Sequence, residues 1–298
     1  MTHSHGMDRP NRAFAIGVVL NLVFVAIEAG YGIVAGSLAL VADAVHNLGD
    51  VVSLLLAWGA SVLATRAATE RRTYGFRKAT VMAALGGAIL LLVALGGLAW
   101  EALGRLLDPR PVAGVTVIVV AAVGVVINTA TALLFFKGQK HDLNVRSAFL
   151  HMAADAGVSL GVVVSGLLII RYGWPWIDAV TSLLIVAVIL VSSWGLLRDS
   201  MNYAMDAVPA DIDLPALRDY LLGLERVYRI HDLHVWPLST TETALTVHLV
   251  VTDGQLDNRF LSDLQQQLHD RFRIAHATIQ VESGMEQGAC LLDDPDCR

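Results

Sequence analysis

Six long apolar segments dominate the sequence and constrain its fold more than any other feature. Each has about 20 residues or more, which is enough for a helix to cross the roughly 30 Å hydrocarbon core of a bilayer. With 55% hydrophobic and 16% charged residues, the chain is too apolar for an ordinary soluble protein. The pattern therefore predicts six transmembrane helices embedded in a lipid bilayer. The segments cover residues 13–35, 37–65, 80–103, 112–136, 148–170 and 176–197.

The distribution of lysine and arginine among the connecting loops predicts the orientation of these helices. Ten basic residues lie before the first segment or after the second and fourth, whereas three lie on the opposite side. Cytoplasmic loops carry such an excess of basic residues. We therefore expect both termini in the cytoplasm. The ten are Arg9, Arg12, Arg66, Arg71, Arg72, Arg77, Lys78, Lys137, Lys140 and Arg146, and the three are Arg105, Arg110 and Arg171.

Two matching polar motifs interrupt the second and fifth apolar segments. Each reads His-x-x-x-Asp, with His46 and Asp50 in one and His151 and Asp155 in the other. Residues i and i+4 share one helix face, so two facing helices can aim all four side chains at one point. Two imidazoles and two carboxylates suit a tetrahedral divalent cation such as zinc. Interhelical hydrogen bonding is the alternative, but ionisable groups at membrane depth are costly and the repeated spacing favours cation binding.

Other polar residues in the apolar segments have less specific interpretations. Asp43 lies one turn before His46 on the same helix face, where it can support the ligands or help a cation enter. Glu28 is expected in a water-filled vestibule or near a membrane interface. Asn21 and Asn128 are expected to form hydrogen bonds between helices, as polar groups in membrane bundles do.

The pattern changes at about residue 206, where the long apolar segments end. The following residues alternate between helical periodicity and the two-residue periodicity of half-buried strands. Their order predicts a small α+β domain with the arrangement αββαβ. The predicted elements are helix 214–224, strands 227–236 and 244–251, helix 256–272 and strand 277–282.

These patterns together predict four regions. Residues 1–11 form a cytoplasmic N-terminal segment, and residues 12–205 form the six-helix transmembrane domain. Residues 206–283 form the α+β domain, and residues 284–298 form a flexible tail. The fold class is thus a membrane α-helical bundle followed by a small cytoplasmic α+β domain.

The ligand types of the intramembrane site suggest how a cation could be moved. Zinc binds neutral imidazole and ionised carboxylate, so protons and metal compete for the same groups. Histidine titrates near neutral pH, which makes the exchange accessible under physiological conditions. We therefore hypothesise that protons moving inward drive the metal outward.

Three stretches of the sequence resemble the cation diffusion facilitator family. Residues 36–50 (GSLALVADAVHNLGD) are similar to its second transmembrane span, and residues 142–155 (DLNVRSAFLHMAAD) to its fifth. Residues 231–236 (HDLHVW) resemble its cytoplasmic domain. The resemblance extends over residues 12–283, and the nearest type is that of the bacterial zinc exporters.

The resemblance implies a homodimeric zinc exporter of the bacterial inner membrane that works as a proton antiporter. Members with two His and two Asp at the transport site tend to prefer zinc, and members with Asp at the position of His46 handle cadmium more freely. The family also suggests a charge interlock, whose matching residues here are Lys78 and Asp206.

The resemblance further implies a metallochaperone-like dimerisation domain that binds zinc in some members, where zinc has a structural or regulatory role. The matching positions are His231, His248, Gln280 and Glu282. Gln280 departs from the pattern, because an amide is a poor zinc ligand. The expected cytoplasmic site is therefore His231, His248 and Glu282. A different set could be drawn from His234, His269, His276, Cys290 and Cys297.

Three alternatives to zinc export remain open from the sequence. The same machinery could move cobalt, nickel, iron or cadmium, since affinities overlap along the divalent series. A membrane metalloenzyme would need a motif such as His-Glu-x-x-His, which the sequence lacks. A membrane-bound metal sensor would bind without transport. Nucleic acid is not an expected partner, and the missing phosphate-binding loop argues against ATP-driven pumping.

Overall fold

The computed structural model describes residues 12–136, 143–251 and 258–283, with side chains from residue 22 onward except at 143–144 and 147–148. The predicted N-terminal segment and C-terminal tail, with Cys290 and Cys297, lie outside these residues. The chain forms two compact units. The described residues of the first unit fall within Met1–Leu54 and Gly87–Trp194, and those of the second within Leu55–Gly86 and Gly195–Arg298.

Long apolar helices make up the N-terminal two-thirds of the chain, as predicted. Helices α2 to α6 contain segments long and apolar enough to span a membrane, and the described apolar part of α1, Leu22–Val34, is shorter. The multi-pass helical architecture is thereby confirmed. The helices are α1 (Arg12–Val34), α2 (Leu38–Ala64), α3 (Ala79–Leu107), α4 (Gly114–Phe135), α5 (Leu143–Tyr172) and α6 (Trp176–Ala204).

Three of these helices, α3, α5 and α6, are longer than the apolar segments that predicted them, and α3 ends at Leu107 rather than at 103. Helix α5 begins at Leu143 rather than at 148, and α6 continues to Ala204 rather than ending at 197. The additional two turns of α6, residues 198–204, contain polar residues such as Arg198, Asp199 and Asn202. Hydropathy marks only the part of a helix that suits hydrocarbon, whereas the backbone hydrogen-bond pattern continues beyond it.

Glycines allow α4 and α5 to pack closely in the first unit. A Cβ atom on Gly114 would lie 2.8 Å from Ile170 Cγ1, and one on Gly166 would lie 2.8 Å from Ile118 Cγ1. Each would also lie 3.2 Å from the other glycine's carbonyl oxygen. Small residues at helix contacts let backbones approach in this way. The close packing fixes α5, which carries one of the two His-x-x-x-Asp motifs.

The beginning of α2 is held by a buried carboxylate from α6. Asp178 accepts hydrogen bonds from the Ser37 hydroxyl at 2.5 Å and from the Leu38 backbone N–H at 2.6 Å. The Ala39 backbone N–H is 3.4 Å from the same carboxylate. Side-chain oxygens at a helix start satisfy otherwise unpaired N–H groups, and a negative charge there also complements the helix dipole. Asp178 thus anchors the helix that carries the other motif.

The C-terminal part of the second unit has the predicted αββαβ order. Strands β1 and β2 pair antiparallel, β2 and β3 pair parallel, and the sheet order is β1-β2-β3. Leucines from the helices and from β2 form its core, including Leu217, Leu221, Leu245, Leu249 and Leu268. The elements are α7 (Leu214–Leu222), β1 (Val227–Pro237), β2 (Thr243–Val251), α8 (Asn258–Phe272) and β3 (Ile274–Ser283).

The segment Leu55–Gly86 contacts the other residues of the second unit through polar side chains. Lys78 Nζ donates hydrogen bonds to Asp206 Oδ1 and, at 3.1 Å, to the Pro237 carbonyl oxygen. Arg77 forms an ion pair of 2.8 Å with Glu242. The structure therefore places the two residues of the suggested charge interlock in contact, next to a second ion pair that the sequence did not indicate.

Candidate functional site

Four side chains of the first unit converge where the middle of α2 faces α5. His46 Nε2 is 3.3 Å from Asp155 Oδ1 and 3.9 Å from Asp50 Oδ2. His151 Nε2 is 3.0 Å from Asp50 Oδ2 and 3.7 Å from Asp155 Oδ2. Each histidine therefore contacts one aspartate of its own helix and one of the other helix. The structure brings the four predicted ligands together.

The His–Asp separations of this site lie near those expected around a tetrahedral cation. Ligand atoms about 2.0–2.2 Å from a zinc ion stand about 3.3–3.6 Å from one another in a tetrahedron. The four His–Asp separations, from 3.0 to 3.9 Å, bracket that range. The two imidazole rings are edge to face, with centroids 5.9 Å apart. His46 faces Asp155 Oδ1 whereas His151 faces Asp155 Oδ2, and no three of these residues have one ligand atom each within 4.8 Å of one another in the described conformation, so a bound ion would have to draw the side chains together.

The four ligands differ in their exposure to solvent, and the exposure of each depends on its position along its helix. The side chains of Asp155 and His46 are 3% and 12% exposed, whereas those of Asp50 and His151 are 37% and 44% exposed. Asp50 lies C-terminal to His46 in α2, and His151 lies N-terminal to Asp155 in α5. The site is therefore closed toward the start of α2 and open toward its end.

Two buried atoms of the site lack hydrogen-bond partners among the described residues. They are His46 Nδ1 and Asp155 Oδ2. Buried polar groups are normally hydrogen-bonded, and an exception calls for an explanation such as an ion or a catalytic role. Asp155 Oδ2 faces His151 at 3.7 Å, too far for a hydrogen bond but suited to an ion between them. The chemistry of the ligand set therefore fits a divalent cation.

A second polar layer lies one turn from the ligands, toward the start of α2. Asp43 Oδ2 accepts a hydrogen bond of 2.8 Å from Ser159 on α5, and both residues are fully buried. Glu28 on α1 is also fully buried, with Asp43 and Asn47 as the polar groups that act on it. The expectation of a water-filled vestibule around Glu28 was wrong, whereas its expected position near a membrane interface stays a prediction. Packing of α1 against the bundle covers its carboxylate, which hydropathy could not show.

The two asparagines of the apolar segments have different outcomes. Asn128 is buried on α4, and its Nδ2 has no hydrogen-bond partner within the part of the chain that the structure describes. The side chain of Asn21 lies outside that part. The expectation of interhelical hydrogen bonds from Asn21 and Asn128 therefore stays a prediction.

A second cluster of ligand-type side chains lies on the sheet of the second unit. His231 Nε2 is 3.0 Å from Glu282 Oε2, and His248 Nδ1 is 3.0 Å from Glu282 Oε1. One ligand atom from each of the three residues lies within 4.8 Å of the other two. The imidazole rings are edge to face with centroids 4.9 Å apart. The structure thus places together the three residues expected to form the cytoplasmic site.

The strand register explains why these residues meet. His231 on β1 stands opposite His248 on β2, and His248 stands opposite Gln280 on β3. Glu282 follows Gln280 by two residues and so lies on the same face of the sheet. The Gln280 amide donates a hydrogen bond of 2.9 Å to Glu282. Gln280 therefore orients a carboxylate in this structure.

A β-bulge adds one residue that the sequence reasoning missed. The register of β1 shifts between His231 and His234, where Asp232 has a φ of 50°. Bulges redirect side chains relative to regular strand alternation. Asp232 consequently contacts His248 at 3.4 Å and His234 at 2.8 Å. The non-alternating run HDLH was the available signal.

Hydrogen bonding controls the charge of the carboxylate in this cluster. Burial raises the pKa of Glu282, but the hydrogen bond with His231, the charges of His231 and His248 and the Gln280 amide outweigh burial. The pKa of Glu282 consequently lies below its usual range. Glu282 is therefore ionised, as a metal ligand must be.

The structure does not bring His276, a member of the alternative cytoplasmic ligand set, to the cluster of His231, His248 and Glu282. The His276 ring packs edge to face on Tyr74, with centroids 5.5 Å apart, and His276 stands opposite Ala244 rather than His248. Among the described residues, His231, His248 and Glu282 form the metal-ligand group of three or more. Cys290 and Cys297 lie outside those residues.

Comparison with protein families gives two adjacent matches. Residues 14–203 match the model of the cation efflux transmembrane domain. Residues 209–284 match the model of the cation efflux protein, cytoplasmic domain.

Several curated proteins are similar to the chain over nearly its whole length. The cation efflux system protein CzcD of Alcaligenes sp. (strain CT14) is 37% identical over 94% of this chain and 89% of its own. The cadmium, cobalt and zinc/H(+)-K(+) antiporter of Bacillus subtilis is 32% identical over 95% of this chain and 92% of its own. The zinc transporter ZitB of Escherichia coli is 34% identical over 100% of this chain and 96% of its own.

The C-terminal part of the chain is similar to a solved structure. It is the metal-bound C-terminal domain of the CzcD transporter from Cupriavidus metallidurans, at 38% sequence identity and a TM-score of 0.23. The match covers 24% of this chain and 99% of that domain.

Proposed function

Because this chain belongs to the cation efflux family, whose members are transporters rather than enzymes, we propose that it exports zinc from the cytoplasm in exchange for protons. Its substrate is a metal ion, and it forms a homodimer in the bacterial inner membrane, as members of this family do. The ligands of the transported ion are His46, Asp50, His151 and Asp155. The observation that carries the proposal is the convergence of these four side chains, from two helices, at His–Asp separations of 3.0 to 3.9 Å.

The choice of zinc rests on the ligand set and on the relatives. Two imidazoles and two carboxylates form a closed, four-coordinate set of the kind that zinc accepts. The Escherichia coli relative is named as a zinc transporter. The Bacillus subtilis relative is named for cadmium and cobalt as well as zinc, and it favours a second candidate in which these ions use the same site. Nickel and iron follow from the overlap of affinities along the divalent series.

Proton exchange follows from the protonation chemistry of the four ligands. The site binds metal when both imidazoles are neutral and both carboxylates are ionised, so a gain of protons weakens metal binding. The contacts His46–Asp155 and His151–Asp50 are close enough to hold a proton between imidazole and carboxylate when the ion has left. Protons taken up from outside would thus release the metal, and metal from the cytoplasm would displace the protons.

The exposure of the ligands assigns a direction to the described conformation. In the proposed orientation both termini are cytoplasmic, so the end of α2 and the beginning of α5 lie on the cytoplasmic side. The exposed pair, Asp50 and His151, then faces the cytoplasm and receives the ion, while Asp155 and His46 lie deeper. Rocking of the helices around a site near the midplane would close one side and open the other.

We further propose that His231, His248 and Glu282 bind zinc in the cytoplasmic domain, with a regulatory or structural role. Support comes from the separations within the cluster and from the ionised carboxylate that Gln280 orients. The proposed domain boundaries are 12–205 for the transmembrane domain and 206–283 for the cytoplasmic domain. A membrane-bound sensor would use the cytoplasmic cluster without any flux of ions.

Zinc uptake into proteoliposomes with an imposed pH gradient tests the proposal. Wild type is compared with Asp50→Ala and Asp155→Ala, and with Asp199→Ala as a control that removes an exposed carboxylate near the end of α6. We expect gradient-dependent uptake by wild type and the control and none by the two site variants. Uptake of cobalt or cadmium but not zinc would contradict the substrate, and binding without any flux would favour a sensor.

A further inference from the structure

A carboxyl group outside the four-ligand site remains without a role. Glu28 on α1 has no exposed surface, and neither of its carboxylate oxygens has a hydrogen-bond partner among the described residues. Asp43 on α2 is equally buried, and its Oδ1 also has no partner there. Ionisable groups at membrane depth are costly and by default functional. Two such groups side by side, with three oxygens unsatisfied, indicate a ligand that the pair holds.

No lysine or arginine of the described residues is among the groups that act on this pair. The groups that act on Glu28 are Asp43 and Asn47, and none of the four proposed ligands is among them. The groups that act on Asp43 are Ser159 and Asp155 on α5, His46 on its own helix, and Glu28. Two ionised carboxylates cannot remain adjacent in a medium of low dielectric constant without a cation. One of them must therefore hold a proton.

The contacts show which of the two carboxyl groups holds it. Asp43 accepts the hydrogen bond of 2.8 Å from Ser159 and lies near the imidazole of His46, and both contacts stabilise a carboxylate. Glu28 has the Asn47 amide as its favourable neighbour. A proton also needs no cavity, whereas a metal ion at these fully buried side chains would have to displace packed atoms.

We propose that Glu28 is a separate proton site of the transporter, which holds a proton in the absence of metal and releases it to water when the four-ligand site binds its cation. Cation binding and proton release from Glu28 are coupled electrostatically. A divalent cation beside Asp43 compensates the negative charge of the Glu28–Asp43 pair. Loss of the proton from Glu28 in turn strengthens cation binding, since such coupling is reciprocal. The inference rests on the proposed cation binding by His46, Asp50, His151 and Asp155, and it adds a proton to those that the ligands themselves exchange.

Infrared difference spectroscopy of the full-length protein tests the protonated state directly. A protonated carboxyl group has a carbonyl stretching band separate from that of a carboxylate. We expect this band in wild type at neutral pH, its loss in Glu28→Gln and its retention in Glu101→Gln, which removes a half-exposed carboxylate paired with Arg105 on α3. Glu28→Asp keeps a carboxyl group and should retain a shifted band. A spectrum of Glu28→Gln identical to that of wild type would overturn the proposal.

Proton release upon zinc binding tests the coupling. Zinc is added to purified protein in weakly buffered solution, and released protons are counted with a pH indicator. We expect Glu28→Gln to bind zinc with unchanged stoichiometry and to release about one proton fewer per zinc than wild type and Glu101→Gln. Unchanged proton release from Glu28→Gln that still binds zinc would refute the coupling. If wild type bound no zinc, the proposed function would fail, whereas the infrared comparison would still decide whether Glu28 holds a proton.

Discussion

The transmembrane site and the cytoplasmic cluster use similar side chains on different scaffolds. In the membrane, two helices each contribute a His and an Asp at i and i+4, and the imidazole centroids are 5.9 Å apart. In the cytoplasmic domain, three neighbouring strands contribute His231, His248 and Glu282, and the imidazole centroids are 4.9 Å apart. Paired strands fix their side chains through a continuous hydrogen-bond ladder, whereas two helices can shift past each other. The sheet therefore favours retention of an ion, and the helix pair favours exchange.

The surroundings of the two clusters strengthen this contrast. In the cytoplasmic cluster, Gln280 orients the Glu282 carboxylate, and Asp232 contacts Nε2 of His248. Among the described residues, the transmembrane ligands leave two buried atoms without hydrogen-bond partners, His46 Nδ1 and Asp155 Oδ2, whereas the cytoplasmic cluster leaves one, His248 Nδ1. A ligand that is held by neighbours reorganises little when metal leaves. A ligand without such neighbours is stabilised more by the bound ion, and by the protons that replace it.

The largest expected effect separates transport from binding. Replacement of both transmembrane histidines, His46→Ala with His151→Ala, removes half of the proposed ligands, and we expect zinc uptake to fall at least about 100-fold. The matched pair His231→Ala with His248→Ala should keep uptake within about threefold, because its ligands bind without carrying the ion. Proteoliposome uptake measures both. Equal loss in the two double variants would show that the clusters do not differ in function.

Much of this contrast could be predicted from the sequence, because it depends on local spacing. The period of four in His46–Asp50 and His151–Asp155 shows that each pair shares a helix face, and hydropathy shows that both helices lie in the membrane. Asp178 was not predictable, because its partners are backbone N–H groups 140 residues away in sequence. The bulge at Asp232 was also missed, since strand alternation assigns that side chain to the opposite face. Contacts made by tertiary packing leave no periodic signal.

The next effect uses pH to probe the cytoplasmic cluster alone. In an Asp155→Ala background, zinc that remains bound reports on His231, His248 and Glu282. Because the pKa of Glu282 is lowered, this carboxylate stays ionised to lower pH than an ordinary glutamate. We expect zinc affinity to fall as the pH is lowered, because protons compete with the metal for its ligands. Titration calorimetry at several pH values measures this, and affinity that rises on acidification would contradict the assignment.

An intermediate effect tests how firmly the helix scaffold is fixed. Asp178→Ala leaves the Ser37 hydroxyl and the first N–H groups of α2 without their buried acceptor. Loss of a helix cap and of hydrogen bonds to a charged group should lower stability by about 2–4 kcal/mol. Because α2 carries His46 and Asp50, zinc affinity should fall as well. Thermal unfolding in detergent and zinc titration give the two quantities.

Ser37→Ala is the graded control for that experiment. It removes one of the hydrogen bonds to Asp178 and leaves those from the Leu38 and Ala39 N–H groups. A smaller loss, about 1 kcal/mol, is expected. If Asp178→Ala were no less stable than Ser37→Ala, the capping role would be wrong, and the transmembrane scaffold would be less dependent on α6 than the geometry indicates.

The smallest expected effect concerns an exposed charge pair in the second unit. Lys78 and Asp206 are 37% and 59% exposed, and exposed ion pairs contribute about 1 kcal/mol or less. Lys78→Glu should therefore lower stability only slightly, and Asp206→Lys in the same chain should restore it. Lys78 also donates to the Pro237 carbonyl oxygen, a contact that the reversed pair cannot restore, so the recovery should be incomplete. Thermal unfolding and zinc uptake of the single and double variants measure the coupling. A loss of transport in Lys78→Glu as large as that in the His46 and His151 double variant would mean that this pair, like the transmembrane ligands, takes part in the transport cycle.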